Sequence, residues 1–176
     1  MVLLDVPFFV NTGDGNRCAQ VALQCALKYY LGKDIPVEEL DRLTGRKEGK
    51  WTSTFQIVAG AWDLGLDVRY YSKSPIEPYT HTEEEIVKYT RETFPNAAET
   101  ILKHSDLPVM LEKATHLTKL NLFEKRLLSF QEIEKHITQN HLPLLCIDYA
   151  KIAIDKSKYP NYSGHFVPMV GFDNES

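Results

Sequence analysis

Residues 17–32 read RCAQVALQCALKYYLG, and this segment organises the architecture that we expect for the whole chain. The pattern predicts one helix from Arg17 to Leu31, ended by Gly32, because glycine readily takes the left-handed conformation that closes a helix. The polar side chains of the segment recur every four residues and form one narrow stripe, and nearly all other positions are apolar. A helix that is apolar around most of its circumference is buried. We therefore predict a central helix packed on several sides.

The rest of the chain predicts further helices, followed by strands near its end. Capping-box spacing, with Ser or Thr three residues before Glu or Gln, marks helix starts at Ser53, Thr82 and Ser129. An apolar run over residues 143–149 and the pattern over residues 165–172 predict two strands. Helices crowd the first part of the chain and the clearest strands lie in the last part. The expected fold class is therefore α+β.

The chain length of 176 residues suits a single domain spanning residues 1–176. A short strand is expected over residues 66–71. It precedes a segment at about residues 75–128 that is interpreted as a helical insertion, with Pro108 interrupting one of its helices.

Composition makes several functional classes improbable. The net charge is −4 and no basic stripe stands out, so a nucleic-acid partner is not expected. The sequence has no run of about 18 apolar residues, which disfavours a membrane partner or a membrane-spanning helix. The first residues lack the basic region and the long apolar run of a signal peptide, and a cytoplasmic location is therefore expected.

Cys18 is the strongest candidate nucleophile among the three cysteines. It lies in the first turn of the predicted helix, after a glycine-containing loop, where free N–H groups and the helix dipole favour a thiolate. Arg17 would add to this effect if its side chain turned inward. Cys25 and Cys146 are interpreted as small buried residues, and no cysteine pair has the CxxC spacing of a metal or redox site.

His165 is the candidate base, because it follows Gly164 at the start of a predicted core strand, where a histidine can face a cleft. The other five histidines lie in polar contexts and are interpreted as solvated surface residues without metal-ligand spacing. No metal and no organic cofactor is expected. These five are His81, His104, His116, His136 and His141.

An ordered set of motifs resembles the bacteriocin-processing peptidases, papain-like cysteine peptidases that cleave after double-glycine leaders. The likeness covers about half of the chain. It rests on Cys18 at a helix start and on motifs at 6–9 (VPFF), 29–32 (YYLG), 61–68 (AWDLGLDV), 142–148 (LPLLCID) and 164–173 (GHFVPMVGFD). The resemblance implies a papain-like fold in which the buried helix packs against a C-terminal antiparallel sheet. It also implies that Cys18 is the nucleophile and His165 the general base.

The chain departs from the family pattern at the supporting positions. Ala19 stands where the family usually has glycine, and Thr12 stands where it has the glutamine that binds the oxyanion. Asn11 carries the required amide and is a second candidate for that role. The acid that orients the histidine would fall on a strand beyond Ser176, so the chain as given is expected to end before it. Asp148, on the preceding strand, is a candidate substitute.

Two classes of function remain open at this stage. The first is a cysteine-type peptidase or amide hydrolase that acts on a peptide or protein substrate through Cys18 and His165. A transferase or amidase that uses the same two residues on a small molecule is a variant of it. The second is a catalytically inactive papain-like module that binds a peptide or protein partner, as the missing glutamine and acid suggest.

Overall fold

The computed structural model describes residues 1–11, 15–155 and 162–173. In these residues the helices are α1 Cys18–Leu31, α2 Val37–Thr44, α3 Thr54–Asp63, α4 Glu83–Thr93, α5 Ala98–His104, α6 Leu107–Lys119, α7 Phe130–Thr138 and α8 Tyr149–Ile152. The strands are β1 Val2–Leu3, β2 Tyr70–Tyr71, β3 Phe123–Glu124, β4 Leu144–Asp148, β5 Gly164–Pro168 and β6 Gly171–Phe172. A 3-10 turn spans Glu77–Tyr79. This mixture of helices and small sheets confirms the α+β class.

Helix α1 is the central helix, as its sequence predicts. Gly32 closes it in the left-handed conformation, with φ of 64°, and its N–H donates to the carbonyls of Leu27 and Lys28. Leu23 and Leu27 are completely buried. The helix packs against α2, α3 and β5, so the segment that carries Cys18 is held on several sides.

The two glutamines in the polar stripe of α1 are buried and link the helix to its neighbours. The Gln20 side chain is fully buried, and its Nε2 donates to the hydroxyls of Thr44, at 3.1 Å, and Thr52, at 2.8 Å. Gln24 donates in the same way to the carbonyl of Ile35, at 2.9 Å. Buried polar groups of this kind need partners, and here the partners come from the segments that pack on α1.

The C-terminal strands form an antiparallel ribbon, in which Leu144 pairs with Pro168 and Asp148 with Gly164. The predicted strand over 165–172 is divided in two. Pro168, which has no N–H for further pairing, is the last residue of β5, and β6 pairs instead with β1 at the start of the chain. Of the strand predicted over 66–71, only Tyr70–Tyr71 forms, in parallel with β3.

The segment at about 75–128 is largely helical and shares a second core with α3. Helix α6 packs on α3, and Pro108 lies in the first turn of α6, where its missing N–H costs nothing. Pro108 thus begins a helix, and the prediction that it interrupts one was wrong. The buried members of this core are Phe55, Ala59, Ile76, Met110, Ala114, Leu117 and Leu122.

The predicted helix starts at Ser53, Thr82 and Ser129 are confirmed as N-caps. Ser53 and Ser129 form complete capping boxes with Gln56 and Glu132, and Thr82 accepts a hydrogen bond from the N–H of Glu85. Within the described ranges, none of the helices combines the length and apolar character required to cross a bilayer.

Candidate active site

Cys18 is the first residue of α1 and is partly buried at the wall of a cleft of about 1540 Å³. Arg17, at the N-cap, makes no side-chain hydrogen bond to the first turn of the helix. The N–H groups of a first turn have no acceptor within the helix. The thiol therefore lies beside backbone donors of the kind that stabilise an oxyanion in acyl transfer.

Arg17 does not turn towards the thiol. Its Nε donates to the Oδ2 of Asp41 at 2.9 Å, and its Nη1 donates to the Oε1 of Glu38 at 3.1 Å. Both carboxylates belong to α2. The guanidinium fastens α1 to α2, so the inward orientation considered from the sequence does not form. Any activation of Cys18 must come from the helix terminus and from the groups that line the cleft.

His165 is the second residue of β5 and lines the same cleft as Cys18. Its ring lies beside that of Tyr149, with 5.5 Å between the ring centroids. Burial lowers the pKa of the imidazole below its ordinary value. The neutral form, which can accept a proton, is therefore favoured at lower pH than in a free histidine.

The structure brings Cys18 and His165 to one cleft without joining them by a hydrogen bond. Side chains alternate between the two faces of a strand. Phe166 packs in the core against α1, on the side where Cys18 also packs, and so His165 belongs to the other face of the β4–β5 ribbon. The contact with Tyr149 agrees with this placement.

Cys146 is a functional candidate that the sequence interpretation missed. The apolar run around it predicted a small buried residue, but its side chain is exposed to the cleft. Desolvation by the surrounding cleft walls raises the pKa of its thiol, and the neighbouring Cys18 raises it further. The side chains of Thr54 and Tyr162 act in the opposite direction. The two thiols are thus electrostatic neighbours.

The Asp148 carboxylate accepts hydrogen bonds from nearby backbone N–H groups in this structure. Its Oδ1 accepts hydrogen bonds from the N–H groups of Ala150, at 3.3 Å, and Ser163, at 3.1 Å. The first of these bonds caps α8. The carboxylate thereby holds the two ends of the connection between β4 and β5. Its assignment as the acid that orients His165 stays a prediction, since its described hydrogen bonds go to the backbone.

The oxyanion candidates lie in the loop before α1. The Asn11 side chain lines the cleft, and its Nδ2 donates to the carbonyl of Gly15 at 3.1 Å. This bond uses one of the two amide hydrogens. Thr12 lies outside the described residues.

The cleft wall is rich in aromatic side chains and poor in charge. Trp51, Tyr70, Tyr71 and Tyr162 line it together with many apolar residues. Among the residues that the structure describes, His, Cys, Asp and Glu side chains form no cluster of three or more that could hold a metal ion. A large, mostly apolar cleft with a few polar groups is suited to an organic ligand.

Comparison of the chain with protein-family models, with curated proteins and with solved structures finds no match. The assignment of a function therefore depends on the residues and geometry of the cleft.

Proposed function

We propose that this chain is a cysteine-type hydrolase of papain-like build, with Cys18 as nucleophile and His165 as general base. One observation carries the proposal: a cysteine that begins a buried helix and a histidine that begins a core strand line the same cleft. The resemblance of the motifs around both residues to the bacteriocin-processing peptidases also supports it.

The chemistry follows the usual course of thiol catalysis. The Cys18 sulfur attacks the carbonyl carbon of an amide, and N–H groups in the first turn of α1 stabilise the oxyanion. His165 transfers the thiol proton to the leaving amine as the C–N bond breaks, which leaves a thioester on Cys18. His165 then takes a proton from water, whose oxygen attacks the thioester and releases the acid and the thiol.

The reaction requires that Cys18 and His165 approach more closely than in the present structure. His165 is the second residue of a five-residue strand, near the connection to β4, and lies on the face of the ribbon opposite Cys18. The imidazole reaches the thiol only if this end of the strand turns, and substrate binding must produce that change.

The cleft supports a peptide or protein substrate. Its volume of about 1540 Å³ exceeds the roughly 300–1,000 Å³ of most small-molecule sites. The aromatic wall suits apolar side chains and the flat faces of peptide bonds.

The test is the pH dependence of Cys18 alkylation by iodoacetamide, followed residue by residue by mass spectrometry. We expect Cys18 to react at a pH below that of an ordinary thiol, near 8.5, and His165→Ala to remove the difference. His116→Ala is the matched control, since His116 is a partly exposed histidine on α6 paired with Asp63. Ordinary thiol behaviour of Cys18 in all three proteins would contradict the dyad.

A peptide-binding module without catalysis is the second candidate. It is favoured by the lack of a hydrogen bond between Cys18 and His165 and by the use of Asp148 at the backbone. One variant, Cys18→Ala, distinguishes the two functions. Cys18→Ala abolishes hydrolysis in the first case, whereas in the second it leaves the affinity for a bound peptide unchanged and the wild type hydrolyses no peptide.

A further inference from the structure

The C-terminal end of α7 carries a pair of imidazoles in an arrangement that the proposed hydrolase chemistry does not use. The Nδ1 atoms of His136 and His141 lie 3.0 Å apart. His136 is in the last turn of α7, and His141 follows the helix in the loop that leads to β4. Both side chains line the cleft, so a small ion can reach them from solvent.

We propose that His136 and His141 form a binding site for a divalent transition-metal ion that imidazole ligands favour, such as Ni²⁺ or Cu²⁺. Metal–imidazole bonds are about 2.0–2.1 Å long. Two such bonds at roughly a right angle place the nitrogen atoms about 3.0 Å apart, whereas a tetrahedral ion requires about 3.3 Å. The observed separation is that of a hydrogen bond between the rings, and it already lies within about 0.3 Å of the spacing that either geometry requires. Water molecules complete the coordination.

The backbone holds the two histidines in place before any ion arrives. The carbonyl of His136 accepts hydrogen bonds from the N–H groups of Gln139, at 3.1 Å, and His141, at 2.9 Å. Asn140 between them is in the left-handed conformation, with φ of 62°. Tyr30 on α1 clamps the same turn, because its hydroxyl donates to the carbonyl of Asn140, at 2.9 Å, and accepts from the N–H of Leu142, at 2.6 Å.

The proton between the two rings does not obstruct the site. In the metal-free pair one Nδ1 donates and the other accepts, so at least one ring carries its hydrogen on Nδ1. Neutral imidazole has two tautomers. Moving the hydrogen to Nε2, through solvent, frees both Nδ1 lone pairs for the ion without changing the charge of either ring.

The local charges are compatible with a bound cation. Arg126 lies over the ring of Tyr71, which is 6.3 Å from that of His136. Its guanidinium is paired with two carboxylates, those of Glu124 and Glu132, each at 2.6 Å. The pairs leave a net negative charge in this group. The carbonyl groups at the end of α7 also favour a cation, through the helix dipole.

The test is titration of the untagged full chain with NiCl₂ by calorimetry, at neutral pH and with a chelator-stripped protein. We expect one Ni²⁺ per chain at this site, and a dissociation constant at least about tenfold weaker in His136→Ala and in His141→Ala. Binding to the native state also raises the melting temperature by mass action, and this rise disappears in both variants.

His116→Ala and Cys18→Ala are the controls, because each removes a metal-binding side chain elsewhere on the molecule. Both are expected to keep the affinity of the wild type. The proposal is overturned if His136→Ala and His141→Ala bind Ni²⁺ as tightly as the wild type, or if His116→Ala weakens binding as much as they do. The site does not depend on the proposed hydrolase, whose failure would leave this result unchanged.

Discussion

Cys146 and Phe166 are directly opposed residues of the antiparallel β4–β5 ribbon. Opposed side chains point to the same face of a ribbon. Phe166 is buried in the core beside α1, whereas the Cys146 side chain is open to the cleft. Cys18 lies close enough to raise the pKa of the Cys146 thiol. The face of the ribbon that packs on α1 therefore also supplies a second thiol to the candidate active site.

The first prediction concerns the reactivity of Cys146. Because desolvation by the cleft walls and the neighbouring Cys18 raise its pKa, we expect Cys146 to react with iodoacetamide at neutral pH more slowly than a free thiol, although its side chain is accessible from the cleft. Thr54→Val and Tyr162→Phe each remove a hydroxyl group that lowers this pKa, and both should slow the reaction further. Alkylation is followed for each cysteine by peptide mass spectrometry. Cys25, which is buried, provides the unreactive reference. Faster alkylation of either variant would contradict the expected role of the hydroxyls.

The second prediction concerns the titration of His165. Its folded-state pKa is lowered by burial, so we expect an NMR titration of its ring to give a value below about 6.5. Tyr149→Ala uncovers one side of the ring and should raise that value towards 6.5. Because the folded-state pKa is lowered, neutral His165 favours the folded state above the pKa of the unfolded chain, and this contribution to stability is lost as the pH falls below that value. A value unchanged in Tyr149→Ala would show that other groups desolvate the ring.

The extent of α1 and the three helix starts could be predicted from the sequence, because the residues that determine them lie at the helix ends themselves. Gly32 closes the helix through its own backbone freedom, and Ser53 and Ser129 cap helices through side chains three residues away. Such signals act within one or two turns. The position of Cys18 in the first turn of α1 depends on the same local features, and its prediction is confirmed.

The exposure of Cys146 and the orientation of Arg17 depend on distant segments and carried no local signal. An apolar run such as LLCID is typical of a strand buried on both faces, and it is equally compatible with a strand that has a cleft on one side. Arg17 turns away from the thiol because Asp41, on α2, provides a carboxylate at 2.9 Å. The histidine pair of the proposed metal site likewise requires the turn that Tyr30 fixes from another helix.

The third prediction concerns the pairing of the first strand with the last described one. A side chain on Gly171 would overlap the carbonyl oxygen of Val2 and press on the Cα of Leu3. Both are backbone atoms and cannot move without separating β1 from β6. We expect Gly171→Ala to destabilise the protein by about 1–3 kcal/mol and to remove hydrogen-exchange protection from the N–H of Leu4, which donates to the carbonyl of Val170.

Gly164→Ala is the matched control for that substitution. Its added methyl group meets only the side chain of Tyr162, whose ring can turn aside. Chemical denaturation should therefore show a smaller loss of stability than for Gly171→Ala. Equal losses, or retained protection at Leu4 in Gly171→Ala, would mean that the strand pairing tolerates the methyl group.

The last prediction concerns the capping box that begins α7. Hydrogen bonding from the backbone N–H of Ser129, reinforced by the Arg126 guanidinium, lowers the pKa of Glu132 to about 2. A lowered folded-state pKa stabilises the protein above the unfolded value, near 4.3, and this contribution is lost as the pH falls towards 2. Glu132→Gln keeps the shape of the side chain but cannot titrate. We therefore expect the wild type to melt above Glu132→Gln at pH 6, with a difference that shrinks steadily in calorimetric scans down to pH 3. Glu134→Gln, on the same helix, should show a smaller difference, and a gap for Glu132→Gln that stays constant across this range would exclude the carboxylate charge as its cause.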